Sequence, residues 1–166
     1  MSPKASSTSP SSSAAGSDIA VTPAPVTLAT RSYRPEDRDA VVALWTACGL
    51  VMPWNDPDAD IARAAGGPAS DILVGEVDGA VVATAMVGDE GHRGWVYYVA
   101  VDPERQGHGL GAAMMVATEA WHAARGVPKV MLLVRETNTR VVGFYEGLGY
   151  VQEPRVLLTK WLNPTP

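Results

Sequence analysis

Apolar and polar positions along the chain divide it into short segments of two periods. Val26 to Tyr33 reads as a first strand. Val41, Leu44, Trp45 and Cys48 then recur at helical spacing and Gly49 ends the run. Pro35 suits the first turn of that helix, where its missing N–H costs nothing, and Glu36 and Asp37 suit the positive end of its dipole. After the loop from Leu50 to Pro57, Asp58 to Ala65 predicts a second short helix. Asp71 to Val77 and Ala80 to Gly88 flank Asp78-Gly79, a two-residue hairpin signal. Trp95 to Val101 is β-branched and aromatic, hence a strand, and Asp102-Pro103 stops it because proline brings no N–H to a ladder. Ala112 to Arg125 predicts a helix with its cap at Gly126. Lys129 to Arg135 is an almost unbroken apolar run, which predicts an interior strand. Thr139 to Leu148 predicts a helix, followed by Tyr150-Val151 and a last strand from Arg155 to Leu162. The order β-α-α-β-β-β-α-β-α-β is an α/β chain with a mixed sheet and helices on both faces.

The 166 residues suit one domain. Residues 1–25, rich in Ser, Ala, Pro and Thr, cannot bury enough apolar surface to offset ordering entropy and are expected to be disordered. The folded domain is expected over residues 26–162. That tail has no continuous apolar segment, so it does not read as a secretory signal. No apolar run approaches a membrane span. A net charge of −5 gives no reason to expect nucleic acid as a partner. The single cysteine, Cys48, excludes an internal disulfide and a cysteine-cluster metal site. His108 and His122 have no metal-like partners at useful spacing, so no metal is expected.

The chemistry concentrates after the central strand. Gly107, Gly109 and Gly111 alternate between the strand end and the next helix. The first N–H groups of a helix lack internal partners and carry positive potential, and glycines let an anion approach the backbone. A strand–helix turn needing positive φ would require one glycine; three at alternate positions point to a phosphate cradle. The Lys-Ser/Thr pair of a Walker loop is absent from Leu110-Gly111-Ala112. Gly107, Gly109 and Ala112 fit G-x-G-x-x-A loosely, but five residues separate strand from loop and too little chain follows for a doubly wound sheet. The chain has no Gly-x-Ser-x-Gly elbow, so a serine-hydrolase nucleophile is missing.

The spacing Gln106-x-x-Gly109-x-Gly111 resembles the Q/R-x-x-G-x-G/A loop of the GNAT superfamily of N-acetyltransferases. Val99-Ala100-Val101-Asp102-Pro103 resembles the end of that family's central strand, and Asn138 with Gly143 to Tyr150 resembles its C-terminal motif. The likeness covers about Val26 to Leu162. It is nearest in pattern to small bacterial acetyltransferases and in part to the ribosomal-protein alanine acetyltransferases. It implies the acyl-CoA N-acyltransferase fold, acetyl-CoA as co-substrate and an amine as acceptor.

By that resemblance the pyrophosphate of acetyl-CoA lies on backbone N–H groups of Gly107, His108, Gly109, Leu110, Gly111 and Ala112, with Gln106 as a further phosphate contact. The pantetheine runs along Val99, Ala100 and Val101 like an added strand, and an N–H near Val101 faces the acetyl carbonyl. Asn138 suits a helix N-cap and, in the family, also contacts the cofactor. Tyr145 matches a tyrosine near the thioester sulfur; its phenol can protonate the departing thiolate as general acid, and the same ring can also serve as core packing. The relatives' fifth-strand glutamate falls at Leu133, which cannot take a proton. Glu90 is therefore the candidate base, with Asp89 and His92 beside it on the turn before the central strand and Glu136 as a surface alternative. Met52, Trp54 and Asn55 lie on the loop that in this fold overhangs the acceptor.

These readings together predict a cytoplasmic N-acetyltransferase, monomer or homodimer, moving acetyl from acetyl-CoA to a primary amine by direct attack. A catalytically silent acyl-CoA sensor on the same fold and a small nicotinamide-binding oxidoreductase are the alternatives.

Overall fold

Asp78 and Gly79 both have positive φ, +52° and +78°, the conformation that a two-residue primed hairpin requires. They join β2 (Ser70–Val77) to β3 (Ala80–Asp89). The computed structural model describes residues 27–162; the serine-rich tail over 1–25 lies outside them. Ahead of the hairpin come β1 (Ala29–Ser32), a 3-10 turn at Pro35–Asp37, α1 (Arg38–Ala47) and α2 (Pro57–Ala64). After it come β4 (Gly94–Val101), a 3-10 turn at Pro103–Arg105, α3 (Leu110–Ala123), β5 (Val130–Leu132) and α4 (Thr139–Gly147). The five strands lie in the order β1-β2-β3-β4-β5. The first four are antiparallel to their neighbours, and β4 and β5 are parallel.

Side chains alternate across the sheet and bury two faces. On one face Val41, Leu44 and Trp45 of α1 and Ile61 of α2 pack on Ile72, Val74 and Ala100. On the other, Met114 of α3 packs on Leu73, Ala83, Ala85, Val87 and Val96. The buried Trp45 indole donates to the Thr84 hydroxyl at 2.9 Å, which satisfies a polar group that would otherwise be stranded in the core. His122 seats α3 on the sheet. Its ring nitrogens lie 2.8 Å and 3.2 Å from the carbonyl oxygens of Thr118 and Gly88, and a Cβ on Gly94 would come within 2.3 Å of its ring. Arg31, pointing from β1, grips the buried Asp37 with two bonds of 2.6 and 2.8 Å and also meets Glu76. These bonds hold the Asp37 carboxyl below the usual carboxylate range.

Three expectations need correction. The last strand does not form: Arg155 to Leu162 pairs with no strand and is exposed throughout. Lys129 to Arg135 is consequently not interior. Three of its residues form a half-buried edge strand, because among the described residues no strand pairs with them on the side away from β4. The topology does not fit the nicotinamide reading, since a doubly wound sheet is mostly parallel and β4–β5 is the one parallel pair among the described residues.

Candidate active site

β4 and β5 part company early. They pair from Gly94↔Val130 to Val96↔Leu132, while β4 continues to Val101. Among the described residues, Tyr97 to Val101 therefore present a backbone edge with no partner strand on that side. The same stretch is bent by a bulge. Thr84 pairs with Ala100 and Met86 with Tyr97, so β4 carries one extra residue there. Tyr98 takes it up at φ +49°, a region side chains seldom occupy. The bulge turns Tyr97 and Tyr98 toward the same helical layer instead of alternating them: Tyr98 packs with the α1–α2 core, and Tyr97 lines a cleft with Asp60 and Arg63 of α2.

Tyr98 is the functional candidate that sequence reasoning missed. Its ring stacks on Trp45 at 4.2 Å. Its hydroxyl donates to Asp60 at 2.8 Å and accepts from the Asn55 amide at 2.6 Å. Its carbonyl accepts from Thr84 at 3.1 Å. Burial, with the Asp60 carboxylate beside it, pushes its phenol up to about 12. Two adjacent tyrosines inside a period-2 strand were the available signal.

At the end of β4 the glycine loop forms as expected. Gly107 and Gly109 have φ of +81° and +80°, with open space where a Cβ would stand. The Ala113 N–H, donating to Gly109, is the first in α3 to find a partner, so those of Leu110, Gly111 and Ala112 are left free by helix geometry. Gly111 matters for packing instead. A Cβ there would meet the Phe144 ring at 3.2 Å, so this glycine lets α4 close against α3. Gln106 is occupied within the protein. Its amide donates to the Val101 carbonyl at 3.1 Å and accepts from Arg140 at 2.9 Å, tying strand end, loop and α4 together. Cys48 also donates to that Val101 carbonyl, at 3.3 Å. His108 Nδ1 lies 3.3 Å from the Arg105 carbonyl oxygen.

The α4 helix flanks this loop. Asn138 is its N-cap, accepting from the Val141 N–H at 3.3 Å. Tyr145 is 8% exposed, with its ring edge-on to Phe144 and Tyr150. Burial alone pushes its phenol up to about 12. Tyr150 donates to Glu119 of α3 at 3.1 Å, holding the two helices side by side.

The α1–α2 loop reaches across to the chain just past β5. The Arg135 guanidinium, just past β5, donates to the Met52 sulfur at 3.3 Å. Trp54 is 48% exposed there, whereas Asn55 is drawn inward to Tyr98. Beneath α2 lies an open cleft of about 230 Å³, lined by Asp60, Arg63, Ser70, Met86 and Tyr97 among others; Trp54 and Asn55 are not part of its wall. Glu90 is exposed on the turn between β3 and β4, at the end of β4 away from the glycine loop. Its charge, after burial, raises the Tyr97 phenol. Leu133, just past β5, is 53% exposed.

The same architecture occurs in solved structures. The aminoglycoside N-acetyltransferase AAC(6')-Iy in complex with CoA superposes with a TM-score of 0.71 at 15% identity, covering 86% of this chain and 100% of that one. The ribosomal-protein-S18-alanine N-acetyltransferase from Escherichia coli gives 0.67 at 23% identity, covering 77% and 80%. An acetyltransferase from Trypanosoma brucei gives 0.62 at 25% identity, covering 81% and 100%. A sequence model of the acetyltransferase (GNAT) family matches residues 37–150, from the 3-10 turn before α1 to three residues past α4. With loop, splayed strands and flanking helix all inside that match, the chain belongs to the GNAT family of acetyltransferases.

Proposed function

We propose that the protein transfers an acetyl group from acetyl-CoA to a primary amine and works in the cytoplasm. One observation carries the reading: an unpaired, bulged β4 edge runs directly into a glycine loop and the free N–H groups of a helix. The edge offers alternating donors and acceptors to an extended amide chain. The loop offers donors and positive potential to a pyrophosphate. Coenzyme A has these two features in series, so the residues present fit it.

Bound acetyl-CoA supplies an activated thioester; the chain orients it and manages charge and protons. Val99, Ala100 and Val101 align the acyl arm, and a β4 N–H near the bulge stabilises negative charge on the carbonyl oxygen. Gly107 to Ala112 hold the phosphates, with Asn138 as a further contact from the α4 cap. Tyr145 keeps its proton across the physiological range and donates a hydrogen bond to the departing thiolate. A thiol titrates near 8.5, so a phenol near 12 is the weaker acid and serves more by hydrogen bonding than by full transfer. The amine enters from the α1–α2 side, past Trp54 and Asn55. Glu90 accepts its proton through water, since the glutamate position of the relatives is Leu133 here.

That leucine also favours a second reading, a silent acyl-CoA sensor. One assay separates the two: thiol release from acetyl-CoA with peptides, polyamines and aminoglycosides as acceptors. Amine-dependent release supports transfer, and tight CoA binding without release from any acceptor leaves the sensor.

A further inference from the structure

The sheet face under α2 carries a flat apolar floor. On β3, Thr84 and Met86 point to the α1–α2 layer, Val87 points to α3, and alternation puts Gly88 back on the α1–α2 side. On β4, Val96 points to α3, so Trp95 and Tyr97 stand on the same side as Gly88. Trp95 pairs with Gly88 across the strands, and its ring stacks beside Tyr97, with centroids 6.2 Å apart and planes 14° from parallel. Gly88 keeps this floor level. Within 4 Å, a Cβ there would meet the Ala69 carbonyl oxygen alone, at 3.9 Å, so its missing side chain makes room for no other part of the protein. Met86, Gly88 and Tyr97 line the cleft, and Tyr97 is 45% exposed in it.

Size and charge narrow what this cleft accepts. Its volume of about 230 Å³ falls below the roughly 300–1,000 Å³ of sites that enclose drug-sized ligands. Its wall is mostly apolar. The carboxylate on that wall is already engaged: Asp60 accepts from Arg63 with one oxygen and from the Tyr98 hydroxyl with the other, each at 2.8 Å. A polycation therefore gains little there. A single ammonium group is better served, because the Glu90 charge is felt at Tyr97. Tyr97 is also the first residue of the unpaired β4 edge. Val99 lies two residues further on, about 7 Å along a strand, which is within reach of a short amine arm on a ring seated over Tyr97.

We propose that the cleft takes the flat apolar end of a small aryl-alkyl primary amine, with the ring over Gly88 and Tyr97 and the amine directed along β4 toward Val99. The acceptor's part in the reaction rests on the transfer reading above. In that reaction the neutral nitrogen bonds to the acetyl carbon, the carbon–sulfur bond breaks, the nitrogen gives up one proton and the departing thiolate takes one.

The test uses the full chain. Calorimetry with CoA present, where no acetyl group can move, compares 2-phenylethylamine and tryptamine with spermidine and kanamycin. The two aryl amines should bind at least about tenfold more tightly, the return on burying one ring. Gly88→Val raises the floor at a strand position with room for the Cβ, and Tyr97→Ser removes an exposed ring without filling the cleft. Each should weaken aryl-amine binding about tenfold or more, and Gly88→Val should do so with CoA affinity retained. Equal binding of all four amines overturns the proposal, and so does aryl-amine binding indifferent to both substitutions. Thiol release from acetyl-CoA is then followed with the same four amines, and the aryl amines should give the higher kcat/KM. Selective aryl-amine binding with no release from any amine overturns the transfer reading and leaves the cleft assignment standing.

Discussion

The sheet has two halves of different character. From β1 to β4 each strand is laddered to the next, and the core beneath is sealed: Val41, Trp45, Ile72 and Val74 are fully buried. Beyond β4 the pairing thins to the three residues of β5, α4 is mostly exposed, and residues 151–162 after it are exposed throughout. The candidate site lies on the seam. A fully paired β4 would have no backbone to offer a ligand, and a loosely packed one could not hold its bulge in place. The rigid half fixes the bulge through Trp45, Thr84 and the Tyr98 carbonyl. The open half leaves the adjoining edge free.

The sharpest way to break this division is at the loop. Gly109→Val puts a β-branched residue at φ +80° where phosphate is expected, so the CoA dissociation constant should rise by about 10²-fold or more, the loss of two charge-assisted hydrogen bonds. Gly111→Val meets Phe144 instead, so calorimetry should show a larger loss of melting temperature than of CoA affinity. Equal affinity losses in the two variants would remove the distinct roles given to these glycines. Tyr145→Phe should lower kcat by about 10²-fold, the low end for general acids because the phenol is a weak one, with KM for acetyl-CoA moving much less. A Phe variant with normal kcat would make Tyr145 a core residue.

On the rigid side, Thr84→Val strands the Trp45 N–H and frees the bulge carbonyl. Denaturant titration should show a loss of about 1–3 kcal/mol, and kcat should fall with it if the bulge aligns the carbonyl; unchanged stability would detach Trp45 from the site. Asp37 gives this half its acid limit. Its folded pKa lies below the ordinary aspartate value, chiefly through the Arg31 hydrogen bonds. Its contribution is therefore complete above the unfolded value of about 4 and is lost as pH falls through the lowered folded value. Melts of Asp37→Asn should be lower at neutral pH and flatter with acidification than those of the parent. Removing residues 1–25 should have the smallest effect, leaving melting temperature and CoA affinity nearly unchanged, because that segment lacks apolar periodicity; a large drop would show that it packs on the domain.

Much of this was legible in the chain. The Asp78-Gly79 hairpin, the helical spacing of Val41, Leu44 and Trp45, and the glycine loop each announce themselves by local chemistry, and each formed within a residue or two of expectation. What failed depends on neighbours. Lys129 to Arg135 has the composition of an interior strand, but being interior requires a partner strand, and the segment from Arg155 to Leu162 expected to supply one forms no strand and is exposed. The bulge was hidden because Tyr97-Tyr98 reads as ordinary β propensity until the register against β3 is known. Gln106 shows what motif reading leaves out: its position matches, and its amide bonds to Val101 and Arg140, which tie strand end, loop and α4 together, depend on the fold.

The parallel joint between β4 and β5 also bears on how the chain assembles. The β2–β3 and β3–β4 hairpins close short loops, so their contacts form early and locally. Bringing Val130 beside Gly94 requires the whole crossover through the glycine loop and α3, a closure whose entropy is lost before any contact returns it. The candidate active site is then among the last parts to form. Substitutions in β5 and α4 should accelerate unfolding while leaving the refolding rate almost unchanged, and those in the β2–β3 hairpin should do the reverse. A ligand bound across that joint would act as a kinetic clasp, slowing the opening of the region that folds last.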